Sequence, residues 1–344
     1  MNNFFYKLYK FLEQGKPIVL IKIIKQSGST PRKPGTSCFV CENGTVIGTI
    51  GGGLLEHKII LRAKQLFKEK TSCVYNFQLT NDISARDGMI CGGNVTCYLE
   101  PIFPESKETI SIFKEISKLI KNGKSGTLFT LISEKPGINT PSKILMQESN
   151  YIKGRISGFD FKKIIQKHGN IPGLIKYHKD NFSIFIEPII PEPELLLFGA
   201  GHISTFIAKL ARTLNFKITV IDDRKEFANK EKFPDADNIY VLPFKNAFKQ
   251  IKITQTSYII IVTRGHAFDK IILESALNTD PAYIGMIGST RKIKTIYNAL
   301  IDQGITKEKL EKVHAPIGLK INAETPQEIA MSIIAELIKI KNSQ

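Results

Sequence analysis

The spacing of apolar residues changes several times along the chain, and each change marks an element. From Leu195 to Phe198 the run is unbroken. Gly199-Ala200-Gly201 interrupts it, and Ile203, Phe206, Ile207, Leu210 and Leu214 then recur three and four residues apart. A short continuous run bounded by glycine reads as a buried strand, and the repeat that follows as an amphipathic helix. Further runs at Lys217–Ile221, Ile239–Leu242, Tyr258–Val262 and Tyr283–Ile287 alternate with helical patterns, predicting a doubly wound, Rossmann-like parallel sheet. Thr325-Pro326-Gln327-Glu328 has the residues of a capping box and opens a last helix through Ile329, Ile333, Ile334 and Leu337.

The first half mixes periods without one repeating unit. Phe4–Gln14 reads as a helix and Ile18–Ile24 as a strand. Cys38–Cys41 and Val46–Ile50 form a hairpin about Glu42-Asn43-Gly44-Thr45, and Leu54–Lys68 is a second helix. The pattern is weakest from Gly123 to Gly173. Pro188, Pro191 and Pro193 mark a linker. The expectation is therefore an N-terminal mixed α/β domain over residues 1–187, a proline-rich linker over 188–194 and a Rossmann-like domain over 195–344.

Composition narrows the classes. The 344 residues are 42% hydrophobic, which argues against disorder, and suffice for two domains. No apolar run approaches the roughly 18 residues of a membrane span, and Met1-Asn2-Asn3-Phe4 lacks a signal-peptide start, so a cytoplasmic protein is expected. Five cysteines, an odd number, fit a reducing compartment. The net charge of +16 does not make a nucleic-acid binder: only eight of 48 basic residues are arginine, and the lysines are spread along the chain. Base and phosphate recognition favour the arginine fork, and no nucleic-acid motif accompanies the charge.

Candidate chemistry sits in the glycine-bearing loops. Gly199 and Gly201 after a strand, His202 opening a helix, and Asp222 about 20 residues on at the end of the next strand have the layout of a dinucleotide fingerprint. There, main-chain N–H groups at a helix N-terminus grip a phosphate. Ser204 stands where the third small residue belongs. Thr263-Arg264-Gly265-His266 and Gly288-Ser289-Thr290-Arg291 follow later strands. Arg264, His266, Ser289 and Arg291 are therefore expected on the same rim.

In the first half, Gly28-Ser29-Thr30-Pro31-Arg32 offers hydroxyls and an arginine to an anion. Gly51-Gly52-Gly53 opens a helix with Glu56 in its first turn, and Cys91-Gly92-Gly93 presents a thiol that a soft metal would accept. Glu56 also has a simple capping role. Cys38-x-x-Cys41 has metal-type spacing but lies in a strand without a second pair, so zinc is not expected.

Taken as a set and in order, these segments resemble the XdhC/CoxI family, the accessory proteins of xanthine dehydrogenase and related molybdenum hydroxylases. The resemblance is carried by Gly28-Ser29-Thr30-Pro31-Arg32, Gly48-Thr49-Ile50-Gly51-Gly52-Gly53 with Glu56, and Cys91-Gly92-Gly93 before Glu100-Pro101. It continues through Gly199-Ala200-Gly201-His202, Asp222-Asp223-Arg224, Thr263-Arg264-Gly265-His266, Ile287-Gly288-Ser289, and Gly318-Leu319 to Glu328. Residues from about 104 to 185 carry little of it.

The resemblance implies a protein that binds molybdenum cofactor (molybdopterin or its dinucleotide form) and delivers the sulfurated cofactor to an apo-hydroxylase. It implies cofactor contacts from Gly28, Ser29, Thr30, Arg32, Gly51, Gly52, Gly53, Glu56, Cys91, Gly92 and Gly93 in the first half. In the second half it implies contacts from Gly199, Gly201, His202, Asp222, Arg224, Arg264, His266, Gly288 and Ser289. Cys91 would lie at the cofactor's metal end. The implied partners are the hydroxylase, a cysteine desulfurase and a second copy of the chain, with neither nucleic acid nor membrane among them.

Two other readings use the same fingerprint. One is an NAD(P)-dependent oxidoreductase with His266 as acid–base, in which Asp222 favours NAD and Arg224 blurs the choice. The other is a nucleotide sensor without turnover. No proton relay beyond isolated histidines supports the oxidoreductase, and no catalytic residue is assigned.

Overall fold

The computed structural model describes residues 4–28, 30, 32–78, 93–133, 142–147, 150–156, 158–168, 171–177 and 182–343. The chain divides into two compact units, Met1–Pro191 and Glu192–Gln344. No helix among the described residues is long and apolar enough to cross a membrane.

The first unit holds two five-stranded antiparallel sheets. One has the order β3-β2-β1-β5-β4, with β1 at Ile18–Gly28, β2 at Ser37–Cys41, β3 at Val46–Gly48, β4 at Cys73–Gln78 and β5 at Gly93–Ile102. The other has the order β8-β7-β6-β10-β9, with β6 at Gly126–Ser133, β7 at Lys143–Gln147, β8 at Asn150–Gly154, β9 at Gly173–Tyr177 and β10 at Phe182–Ile189. The helices are α1 (Phe4–Glu13), α2 (Gly53–Glu69), α3 (Lys107–Lys121) and α4 (Phe161–His168).

Side chains on a strand alternate between faces, and β1 is buried on both. Val19, Ile21 and Ile23 pack with Ile59, Ala63 and Leu66 of α2 on one face. Ile18 and Leu20 join Phe113 and Ile116 of α3, Leu128 of β6 and Leu145 of β7 on the other. This is why Ile18–Ile24 is almost uninterrupted by polar residues although the sheet is antiparallel. On the second sheet α4 covers the opposite face, with Phe161 and Ile164 against Phe129, Ile184 and Ile186.

Charge interrupts the apolar layer between the sheets. Lys22 of β1 pairs with Glu187 of β10, and Lys143 of β7 with Glu100 of β5 at 2.7 Å, all four side chains being buried. Lys143 also donates to Thr130 Oγ1 at 3.3 Å. Each ion pair joins one sheet to the other.

The expected linker over 188–194 is shorter in the structure. Pro188 and Ile189 finish β10, paired with Thr127 and Gly126, and Glu194 opens the next strand. Pro188 is accommodated because the β9 ladder stops at Ile186, so beyond that point β10 is an edge. Only residues 190–193 lie outside strands.

The second unit is a parallel sheet of order β13-β12-β11-β14-β15, from Glu194–Phe198 (β11), Lys217–Asp222 (β12), Asn238–Val241 (β13), Ser257–Ile261 (β14) and Tyr283–Met286 (β15). Helices α5 (His202–Thr213) and α10 (Pro326–Ser343) cover one face, where Leu195 and Leu197 meet Ile207, Ala211, Ile333 and Leu337. Helices α6 (Phe244–Gln250), α7 (His266–Ala276) and α8 (Thr290–Ile301) cover the other, where Leu196 and Phe198 meet Ala247, Ile272 and Ile296. A short α9 spans Lys307–Glu311. This is the Rossmann-like arrangement the sequence predicts, and its order reverses between β11 and β14. Ligands of such sheets bind outside the carboxyl ends of the strands at that point.

The charges between the two sheets yield the first prediction. Lys143→Met strands Glu100 without its cation and should destabilise the unit by about 3–5 kcal/mol, whereas Lys143→Met with Glu100→Leu should recover most of the loss. Urea unfolding followed by circular dichroism checks both; a double variant as unstable as the single would show that the pair itself stabilises the fold.

Candidate functional site

In the second unit, the residues singled out in the sequence line one rim. The turn after β11 is held from within. Gly199 has φ of +108°, and a Cβ there would stand 2.4 Å from the Val262 carbonyl oxygen and 3.0 Å from Thr263 Cα. Only glycine fits, and the turn therefore lies directly on the loop that follows β14. Ser204, fully buried in the first turn of α5, donates from Oγ to the Gly199 carbonyl at 2.5 Å. A third glycine or alanine at that position would leave this bond unmade.

Asp222 closes the arrangement. Its buried carboxylate accepts the Ala200 N–H on Oδ2 at 2.8 Å and the Arg224 N–H on Oδ1 at 3.0 Å. The Arg224 guanidinium adds bonds to Oδ1 at 3.0 Å and Oδ2 at 3.2 Å and stacks 3.9 Å from the Phe227 ring centre. Burial pushes this carboxyl up, but the Arg224 side chain and the two main-chain N–H groups outweigh it and hold it below the usual aspartate value. The fingerprint assigns this acid to a ribose hydroxyl, yet both its oxygens are committed inside the protein.

Gly201 differs from Gly199. It precedes α5 with φ −80° and ψ −175°, extended backbone open to any residue, and a Cβ there would meet nothing within 4 Å. His202 beside it is exposed. Across the rim, Arg264 forms a two-bond fork with Asp223 at 2.8 and 2.9 Å, tying the loop after β14 to that after β12. Thr263 Oγ1 donates to Asp269 Oδ1 at 2.6 Å, and Lys292 of α8 meets the other oxygen of the fully buried Asp269. Gly265 and His266 start α7, Gly288 precedes α8, and Ser289 caps α8 by accepting the Lys292 N–H at 3.3 Å. Arg264, Gly265, His266, Ser289, Arg291, Lys292 and Thr295 line an open cavity of about 460 Å³.

In the first unit the antiparallel ladders bring the ends of β1, β3 and β4 and the starts of β2 and β5 to one end of the sheet. Gly28 pairs with Gly93 there, and Gly48 with Cys38. Thr30 Oγ1 donates to Gln26 Oε1 at 2.6 Å, and Arg32 is exposed. Gly51, Gly52 and Gly53 all have positive φ (+127°, +75° and +63°), which accounts for three glycines in succession. The turn already holds an anion of its own, and the Gly51 N–H donates to Thr49 Oγ1 at 3.1 Å. Glu56 Oε2 accepts the Ile50 N–H at 3.1 Å, the Gly52 N–H at 3.0 Å and the Thr49 hydroxyl at 2.6 Å. Burial pushes the Glu56 carboxyl up, and these donors more than reverse it. Ser29, Cys91 and Gly92 lie outside the described residues.

The four described cysteines are poor nucleophiles. Burial pushes the Cys38 and Cys97 thiols up to about 12 and raises Cys41 and Cys73 as well. No group of His, Cys, Asp and Glu suited to a metal ion occurs among the described residues.

Comparison with known proteins places these features. Residues 195–337 match the XdhC Rossmann domain, and residues 11–78 match the XdhC and CoxI family. A probable xanthine dehydrogenase subunit of Bacillus subtilis (strain 168) is 26% identical over 348 residues, which cover 99% of this chain and 98% of that protein. The molybdenum cofactor insertion chaperone PaoD of Escherichia coli (strain K12) is 20% identical over 336 residues, 97% of this chain and 86% of PaoD. A crystal structure described as a xanthine dehydrogenase from Bacillus halodurans is similar with a TM-score of 0.78 at 26% identity, covering 99% of this chain and 96% of that one. Residues 11–78 contain the triple-glycine turn and residues 195–337 the Gly199–Gly201 turn, and the chain belongs to the XdhC and CoxI family.

Proposed function

We propose that this chain binds molybdenum cofactor as cargo and passes it, in sulfurated form, to an apo-hydroxylase of the xanthine dehydrogenase type. It performs no turnover of its own. The observation that carries the reading is Gly201. Neither backbone conformation nor packing calls for a glycine there, since its φ is ordinary and a Cβ would meet open space. What the missing side chain preserves is clearance above the N-terminus of α5, where unpaired N–H groups and the helix dipole favour an anion. The phosphate of molybdopterin, or the pyrophosphate of its dinucleotide form, suits that point. The similarity to PaoD, a molybdenum cofactor insertion chaperone, supports the same reading.

An NAD(P) enzyme is less well supported. Its ribose would have to displace Arg224 from Asp222, giving up charge-assisted bonds that hold the turn. Gly199, Gly201, His202, Arg264, His266, Gly288 and Ser289 are assigned to the cargo, with Asp222 and Arg224 as the frame beneath it. In the first unit Gly28, Ser29, Thr30, Arg32 and Gly93 are assigned to it as well, with Gly51, Gly52, Gly53 and Glu56 as a frame that Glu56 itself neutralises. The cofactor's dithiolene-bound metal supplies chemistry only after insertion into the hydroxylase.

Cys91 is the candidate thiol on the resemblance of Cys91-Gly92-Gly93 to the family's motif, while burial raises all four described thiols. We assign it, with Gly92, to the sulfurated metal end. A cysteine desulfurase as sulfur donor and a homodimer as the working form complete the proposal.

The test is expression in a molybdopterin-producing host, followed by pterin fluorescence and molybdenum analysis of the purified protein. Wild type should retain both, and Gly201→Val should lose at least about tenfold of the pterin while melting within a few degrees of wild type. Wild type that carries tightly held NAD(P) and no pterin would overturn the proposal.

Cys91→Ser should bind pterin normally yet deliver less active hydroxylase in an insertion assay; full activity would remove the thiol from the pathway. Asp222→Asn should destabilise the second unit by about 1.5–3 kcal/mol at neutral pH. Because folding lowers the Asp222 pKa, the wild-type advantage is present above the unfolded value, about 3.9, and is lost as pH falls through the folded value. Melting curves of both proteins from neutral pH into acid should therefore converge; a constant gap would show that charge is not what Asp222 contributes.

A further inference from the structure

The cavity between the starts of α7 and α8 has a charge pattern that the folded chain does not balance by itself. Its lining carries Arg264, Arg291 and Lys292 and no carboxylate. Two of these cations are answered from outside the cavity, Arg264 by Asp223 and Lys292 by the buried Asp269. Arg291 has no ion-pair partner among the described residues and is exposed.

Its position is also electrostatically unfavourable. Arg291 lies in the first turn of α8, which holds no acidic residue, so its charge opposes the helix dipole. Lys292, next in sequence, is accounted for by Asp269, but no described carboxylate pairs with Arg291. A stabilising choice there would be Asp or Glu. An anion in the cavity removes the conflict, since it would face three cations and the N-termini of two helices, each longer than two turns.

The size and lining define the class of ligand. About 460 Å³ exceeds what one inorganic anion needs and falls within the range of small-molecule sites. Ser289 and His266 add a hydroxyl and ring N–H groups around the cations, while the Thr295 hydroxyl donates to the Arg291 carbonyl at 3.0 Å. We propose that this cavity is a phosphoryl site for a phosphomonoester with a hydroxylated body, in which Arg291 is the specificity-determining cation. The site adjoins the Gly199–Gly201 turn, because Gly199 packs on Val262 and Thr263 just ahead of Arg264. The phosphoryl group therefore comes either from the cargo's own phosphate, seated here instead of at the start of α5, or from a separate phosphorylated metabolite. The site itself does not depend on the pterin reading.

The test uses the full chain, purified free of cofactor, with glycerol 3-phosphate as probe and chloride at matched ionic strength as control. Melting temperature and calorimetric titration are the readouts. Glycerol 3-phosphate should stabilise wild type, and Arg291→Ala should weaken its binding by about tenfold or more. Arg291→Glu should melt above wild type without ligand, since the dipole conflict is gone, and should show no response to the probe. That pair of opposite changes is not expected of a residue that only supports the fold.

Equal responses in wild type and Arg291→Glu, or none in either, would overturn the site. A second arm identifies the source. Protein loaded with pterin in the producing host should no longer respond if the cargo's phosphate fills the cavity, and should respond in full if a separate metabolite does. Should no pterin ever be retained, the contrast between wild type and Arg291→Glu still decides this proposal alone.

Discussion

The second unit is organised around the buried carboxylate of Asp222. Removing a charge from water is costly, and the protein compensates with four hydrogen bonds from Ala200 and Arg224. The consequence is positional. Bonding Ala200 N–H from the neighbouring strand fixes the turn after β11 in place, and Ser204 fixes the same turn from the helix side. A turn held this way is ready before any ligand arrives, so little ordering entropy is lost on binding. The same commitment removes Asp222 from the role its position in the fingerprint implies. An acid about twenty residues past the glycines can select a ribose or can brace the glycine turn, and sequence spacing is the same for both.

The first unit uses a related device with a different outcome. At Gly51–Gly53 the chain's own Glu56 takes two main-chain N–H groups and a hydroxyl, so those donors are already satisfied. At Gly201 the space beside the helix start stays open. Two glycine turns that read alike in sequence thus differ in what remains for a guest. The first is internally neutralised, and the second has main-chain positive charge to spare.

Most of the second unit was legible in the sequence, because parallel strands buried on both faces produce unbroken apolar runs punctuated by glycine, and each expected strand lies within a residue of the observed one. Phe4–Glu13, β1 and the β2–β3 hairpin were legible for similar reasons. The second antiparallel sheet was not. Lys143 and Glu187 lie on strands but face the layer between the sheets, where they break the apolar alternation and imitate loop or surface positions. Their partners, Glu100 and Lys22, are distant in the chain, and no local pattern announces such a pairing. Ser204 and Glu56 were seen as a departure and a cap; that each bonds its own glycine turn is a tertiary fact.

Charge composition, read with the structure in hand, carries a more specific message than net charge. The chain is rich in lysine and holds only eight arginines. Three of the eight, Arg224, Arg264 and Arg291, sit beyond the carboxyl ends of β12, β14 and β15. Two of them make planar, two-point bonds to carboxylates that a single ammonium would not reproduce. Lysine, by contrast, appears even in the core of the first unit, as Lys22 and Lys143, where a point charge on a flexible stem suffices to meet one carboxylate. The positive charge spread over the surface is therefore weak evidence about partners. The guanidinium groups gathered on one rim, two braced by acids and one left open, localise the recognition of anions to the face where the parallel strands end.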